Sequence, residues 1–144
     1  MTTTRTTTRS TRHRGQAANS ATMWVLLLID AGLLVASGII HLHLWDIAYR
    51  HVKTLDVLFL IQAAAAIVAA IVLLVTRHIV VVAGAAALMA GTIAGFILAR
   101  TVGIFGFHLT FSSGLANLVL VVEAVATVLL CITGGMLLRL SATK

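Results

Sequence analysis

Apolar residues gather in four long blocks, at residues 23–45, 57–76, 79–99 and 115–138, separated by short polar or basic stretches. Each block is close to the roughly 20 residues that a helix needs to cross about 30 Å of hydrocarbon at 1.5 Å per residue. Period-2 alternation and short turn-bounded strands do not appear, which argues against a lipid-facing β-barrel. The pattern therefore predicts an all-α membrane protein, a four-transmembrane-helix bundle over residues 23–138. Proline is absent, so unbroken helices are expected, without the proline-interrupted spans found in many transporters.

Trp24 and Trp45 bracket the first span. The helix between them rises about 31 Å, so their indoles reach opposite interfaces. The short link Thr76-Arg77-His78 makes the second and third spans an antiparallel hairpin. The other connections are residues 46–56, polar and basic, and residues 100–114, which carry Phe105, Phe107 and Phe111. Arg5, Arg9, Arg12, Arg14, Arg77, Arg139 and Lys144 fall on one side, against Arg50, Lys53 and Arg100 on the other. The positive-inside rule then puts both termini in the cytoplasm. Residues 1–22 are rich in threonine and arginine, lack acids and bury nothing. They are expected to form a disordered basic cytoplasmic tail within reach of anionic lipid. Residues 139–144 form a second, short cytoplasmic tail. A cleaved signal peptide fits poorly, because the first apolar run outlasts the usual 7–15 residues and contains Asp30.

Composition narrows the classes further. Of 144 residues, 60% are hydrophobic and 10% charged, against about 45–50% and about 25% in soluble domains. Mean hydropathy is +1.11. A lone cysteine, Cys131, excludes a disulfide framework; inside a span it is expected to behave as a small apolar side chain. The net charge of +6 comes with only four acids, so it reflects few acids rather than a basic folded face, and no nucleic-acid partner is expected. No CxxC, P-loop, nucleophile elbow or HExxH occurs, and no enzymatic activity is expected.

In the third span Ala83, Ala87, Gly91, Gly95 and Ala99 recur every four residues, a small-residue stripe that lets helix backbones approach. Helix packing within one bundle is the simpler expectation, and a homo-oligomer interface the other.

Intramembrane polar groups carry whatever chemistry the chain has, because ionisable groups at depth are costly and face the bundle interior or a cavity. Asp30, Gln62 and Glu123 stand out within the spans. Asp30, Leu34, Ser37 and His41 fall on one side of the first helix and are expected to form a bundle-facing polar stripe. Glu123, about halfway along the fourth span, is the most costly group. It is expected to hold a proton or to hydrogen-bond across the bundle, to Gln62 or to a serine or threonine. Such a group can orient helices, serve as a proton or cation site, or face another subunit.

Four histidines, His41, His43, His51 and His108, fall on the outer side of this topology. Imidazole is a common ligand of copper, zinc and haem iron, so an outer-face metal or haem site is open, although no cofactor is assigned. His41 and His43, two residues apart, diverge on a regular helix and would chelate only if the helix end unwound. Asp46 is placed to orient His43.

Leu58-Phe59-Leu60-Ile61-Gln62 echoes Val119-Leu120-Val121-Val122-Glu123, as though the chain were two tandem hairpins. Gly38-Ile39-Ile40-His41-Leu42-His43-Leu44-Trp45, followed by Tyr49-Arg50 and Leu58-Phe59-Leu60, resembles a group of small four-span membrane proteins of high-GC actinobacteria. The architecture is more loosely similar to DoxX-like membrane proteins. The resemblance implies topology and lineage, and with them a bacterial plasma membrane, and it carries over no catalytic residue. The leading expectation is thus a small integral membrane protein without enzymatic motif, an accessory subunit of a larger assembly. Its partners would be the bilayer and a membrane protein or further copies of itself. The alternatives are the outer-face histidine metal or haem protein and a small proton-coupled carrier using Glu123 and Asp30.

Overall fold

A computed structural model describes residues 7–106, 108 and 114–142, with the side chains of residues 7–19 left aside. Four helices make the molecule: α1 (Thr7–Leu44), α2 (Leu55–Thr76), α3 (Ile79–Thr101) and α4 (Gly114–Ala142), with a π turn at Trp45–Tyr49 directly after α1. All four contain stretches long and apolar enough to cross a membrane, and the first such stretch runs Ser20–Tyr49. The architecture is an all-α four-helix bundle.

The core follows a seven-residue repeat. Met23, Leu27, Asp30, Leu34, Ser37, His41 and Leu44 are all buried on α1, in alternating steps of four and three. Ala116, Val119, Glu123, Ala126, Leu130 and Thr133 repeat the pattern on α4. Ala63, Ala66, Ala70 and Leu73 on α2, and Val82, Ala85 and Met89 on α3, complete the seam. This spacing keeps one stripe of each helix facing its neighbours, as in left-handed bundles in water or lipid. Outward positions such as Leu28, Ile39, Val68, Val80, Val125 and Ile132 are exposed and apolar, which suits a hydrocarbon surround rather than water. Cys131 is among these outward residues.

α1 packs most extensively on α2, α3 on α4, and α1 on α4, whereas α2 and α3 meet over a much smaller area. Among the described glycines Gly38 sits closest to a neighbouring helix: a Cβ there would come within 3.1 Å of both the Ala63 carbonyl oxygen and Ile67 Cγ1. Glycine is favoured there because α2, in part its backbone, already stands close to that space.

The α2–α3 link closes through local chemistry. Arg77 adopts a left-handed conformation (φ 50°) and its N–H bonds back to the Leu73 carbonyl, a helix C-cap. His78 then caps α3, its Nδ1 accepting from the Val80 N–H at 3.3 Å. The Arg77 guanidinium lies 3.7 Å over the Trp24 ring, so this link and the start of the first span share one end of the bundle. Cation and indole together suit a membrane interface.

Helical backbone begins at Thr7, well ahead of residue 23, so much of the expected disordered tail continues the first helix. Gln16, Ala17 and Ala18 are good helix formers, and a nucleated helix propagates into them at little cost. Residues 1–6 of that tail, Phe107 and Phe111 of the loop between α3 and α4, and residues 143–144 lie outside the described residues. The other spans start or end a few residues beyond the sequence expectation, most at the C-terminus of α4, which reaches Ala142.

Candidate functional site: a buried carboxylate–histidine pair at an interhelical cavity

Because α2 and α3 part from one another, a cavity of about 400 Å³ opens among the four helices toward the Trp45 end. The π turn and the end of α1 supply Tyr49, Leu44 and His41; α2 supplies Leu58, Phe59 and Gln62; α3 supplies Gly91, Thr92, Gly95 and Phe96; and α4 supplies Val119, Leu120 and Glu123. Leu58, Ala87 and Gly91 are lining residues that are also exposed, so the cavity opens on the outer face of the bundle. Its walls are mainly apolar with few convergent polar groups, the usual character of a small-molecule site.

The polar groups are concentrated at one wall. Ser37 Oγ donates to Glu123 Oε1 at 3.2 Å. His41 Nε2 lies 3.6 Å from the same oxygen, and His41 Nδ1 lies 2.9 Å from the Ser37 carbonyl. A carbonyl oxygen only accepts, so Nδ1 carries the hydrogen and Nε2 faces Glu123. Glu123 is 1% exposed and His41 4%. Buried ionisable groups need such partners, since an unpaired charge in an apolar medium is costly. The aromatic wall continues from this pair: His41 stands 5.3 Å from the Phe59 ring, and Tyr49 stacks on Phe59 at 4.3 Å. The π turn, marked by the Arg50 N–H reaching the Trp45 carbonyl, carries Tyr49 to this position. Such turns recur at functional sites.

A second polar node lies deeper toward the Trp24 end. Thr133 Oγ1 donates to Asp30 Oδ2 at 2.6 Å, while Asp30 Oδ1 is buried without a partner. Both residues are fully buried. α1 and α4 thus meet through two polar contacts, Asp30–Thr133 and Ser37/His41–Glu123.

Several sequence expectations are resolved by these positions. Asp30, Leu34, Ser37 and His41 all face inward. Glu123 is hydrogen-bonded across the bundle, and of the expected donors it is a serine, Ser37, that reaches it. Gln62 lines the same cavity with its Nε2 buried and unpartnered, and no bond joins it to Glu123 among the described residues. The small-residue stripe does not pack between helices of the bundle. Nothing lies within 4 Å of a Cβ built on Gly91 or Gly95, Ala83 and Ala87 are exposed, and Ala87 through Ala99 form one cavity wall. The reason is the divergence of α3 from α2, which leaves this face without a neighbour.

The four outer histidines do not converge. His41 turns into the bundle, whereas His43, His51 and His108 are exposed. His51 Nε2 accepts from Arg50 Nε at 3.2 Å. The helix becomes irregular only from Trp45, after both His41 and His43, so those two keep diverging directions. Asp46 pairs with Arg50 at 3.3 Å. Among the described residues, no three histidine, cysteine, aspartate or glutamate side chains are grouped as a metal ion would require.

Gly38, Tyr49 and Phe59 enter the sequence reading only within the segments that carry the echo and the resemblance, without a site role, and Thr133 does not enter it. A signal existed for Thr133, which falls on the same seven-residue repeat of α4 as Glu123. Comparison of the chain with protein-family models, curated proteins and solved structures finds no match.

Proposed function

We propose that this chain is a multi-pass plasma-membrane protein, both termini cytoplasmic, that binds a small lipophilic molecule within the bilayer at the Glu123–His41 pair. The observation that carries this reading is the placement of that buried pair at the wall of an otherwise apolar cavity of about 400 Å³. An apolar cavity open to lipid admits a lipophilic ligand, and a single polar wall orients its head group. Binding or carriage needs no covalent chemistry, in keeping with a chain without enzymatic motif. The histidine metal reading has less support, because His41 is engaged with Ser37 and Glu123.

Mass spectrometry of small molecules extracted from protein gently solubilised from its native membrane tests the proposal. A molecule retained by the wild type and lost in Gly91→Leu, which adds bulk at a lining position where a Cβ meets nothing within 4 Å, is the expected result. Identical retention by both forms, or none by the wild type, would sink it.

A second reading, an accessory subunit of a larger membrane assembly, is supported by the exposed small-residue face of Ala83, Ala87 and Gly91 on α3. Such a face accepts a helix from a partner or another copy at close range. Blue-native electrophoresis from native membranes checks it, with a lone monomer as the result against it.

A further inference from the structure

We infer that the cavity selects a lipophilic monovalent organic cation, and that this cation exchanges with one proton held between Glu123 and His41. The inference rests on the cavity-binding reading above and adds the chemical class of the ligand.

The proton follows from hydrogen-bond direction. His41 Nδ1 already donates to the Ser37 carbonyl, so in the neutral ring Nε2 presents a lone pair. That lone pair faces Glu123 Oε1 at 3.6 Å, in a place where neither residue meets solvent appreciably. Two lone pairs opposed in an apolar medium repel, and a single proton between them converts repulsion into attraction. With that proton the pair is neutral overall, whichever atom holds it.

The cation follows from what lines the rest of the cavity. Phe59, Tyr49 and Phe96 line it with aromatic rings, and among the described lining residues Glu123 is the only carboxylate and there is no lysine or arginine. A carboxylate flanked by aromatic rings is complementary to a soft, weakly hydrated cation. An anion would meet the Glu123 oxygens with no opposing charge except a protonated His41. When the cation arrives, one O–H or N–H bond of the pair breaks and the proton leaves to water. The carboxylate charge is then balanced by the ligand, nothing is oxidised, and the cavity stays neutral. The polar groups around the pair are few among the described residues: Ser37 on α1, which donates to Glu123, and the cavity-lining Tyr49 of the π turn, Gln62 of α2 and Thr92 of α3. Asp30, bonded to Thr133, does not line this cavity. Cation and proton therefore compete for one carboxylate.

Full-length protein in detergent, titrated with tetraphenylphosphonium and separately with neutral triphenylphosphine oxide, tests this. The expected result is saturable phosphonium binding, release of about one proton per cation into weak buffer, and at least a tenfold loss of phosphonium binding in Glu123→Gln. That variant is isosteric and still accepts from Ser37. Proton release by the wild type needs no variant and so stands even if Glu123→Gln fails to fold. Phosphonium binding without proton release, or equally well by Glu123→Gln, overturns the inference. Binding of the neutral probe alone overturns it while leaving the cavity-binding reading intact. Binding of neither overturns both.

Discussion

Gly38 and Gly91 offer the sharpest test of the bundle's geometry, because sequence and structure rank them in opposite order. Gly91 belongs to the GxxxG of the third span, where sequence places the close helix contact. Gly38 belongs to no such repeat. In the structure a Cβ on Gly38 meets the Ala63 carbonyl oxygen and Ile67 Cγ1 at 3.1 Å, whereas a Cβ on Gly91 meets nothing within 4 Å. Changing either to alanine gains the same intrinsic helix term, up to about 1 kcal/mol, so that term cancels between the two variants. The remaining difference is the overpacking at Gly38, where one of the two atoms met at 3.1 Å is backbone, so that α2 itself must give by a few tenths of an ångström. Overpacking of this kind costs about 1–3 kcal/mol. Gly38→Ala is therefore expected to be about 1–3 kcal/mol less stable than Gly91→Ala, with Gly91→Ala at or above wild type. Reversible unfolding in mixed micelles, titrated with SDS and followed by helical circular dichroism, measures both. Equal stability, or a larger loss at Gly91, would refute the α1–α2 packing described here.

Further expectations follow from the polar contacts. Thr133→Val removes the only hydrogen bond to the Asp30 side chain among the described residues; a loss of about 1–3 kcal/mol is expected, and replacing Asp30 with leucine in the same chain should restore most of it. Ser37→Ala deletes the donor to Glu123 and is expected to cost about 0.5–1.5 kcal/mol in the same unfolding assay, with no loss if Glu123 is held by other groups. Arg77→Leu lifts the cation from the Trp24 ring, 3.7 Å away. It should alter Trp24 emission in a Trp45→Phe background, and an unchanged spectrum would count against the contact. Cysteines placed at Ser20 and at Arg77 should react with a membrane-impermeant maleimide from the same side of sealed vesicles, and labelling from opposite sides would break the four-span topology.

Much of the architecture was legible in the chain because lipid imposes a simple rule: backbone polar groups must be satisfied within each crossing segment, so an apolar run of about 20 residues becomes a helix. The four spans, the hairpin at Thr76-Arg77-His78 and the inward stripe of Asp30, Ser37 and His41 are all consequences of that rule and of helical periodicity. The side chains able to carry chemistry were legible too, since Asp30, Gln62 and Glu123 stand out against their apolar surroundings. Their partners were not. Which donor reaches Glu123 depends on the offset and rotation of α4 against α1, and no local pattern encodes that. The same holds for the small-residue stripe, whose spacing permits close packing without supplying a neighbour. Sequence alone determined that the chain forms four apolar helices with a few costly polar groups inside them. Only the tertiary arrangement decided that α2 and α3 diverge, that Ser37 and His41 converge on Glu123, and that a cavity opens beside that pair. The physical reason is that helix formation in lipid is a property of each segment, whereas packing depends on side-chain fit between segments distant in sequence.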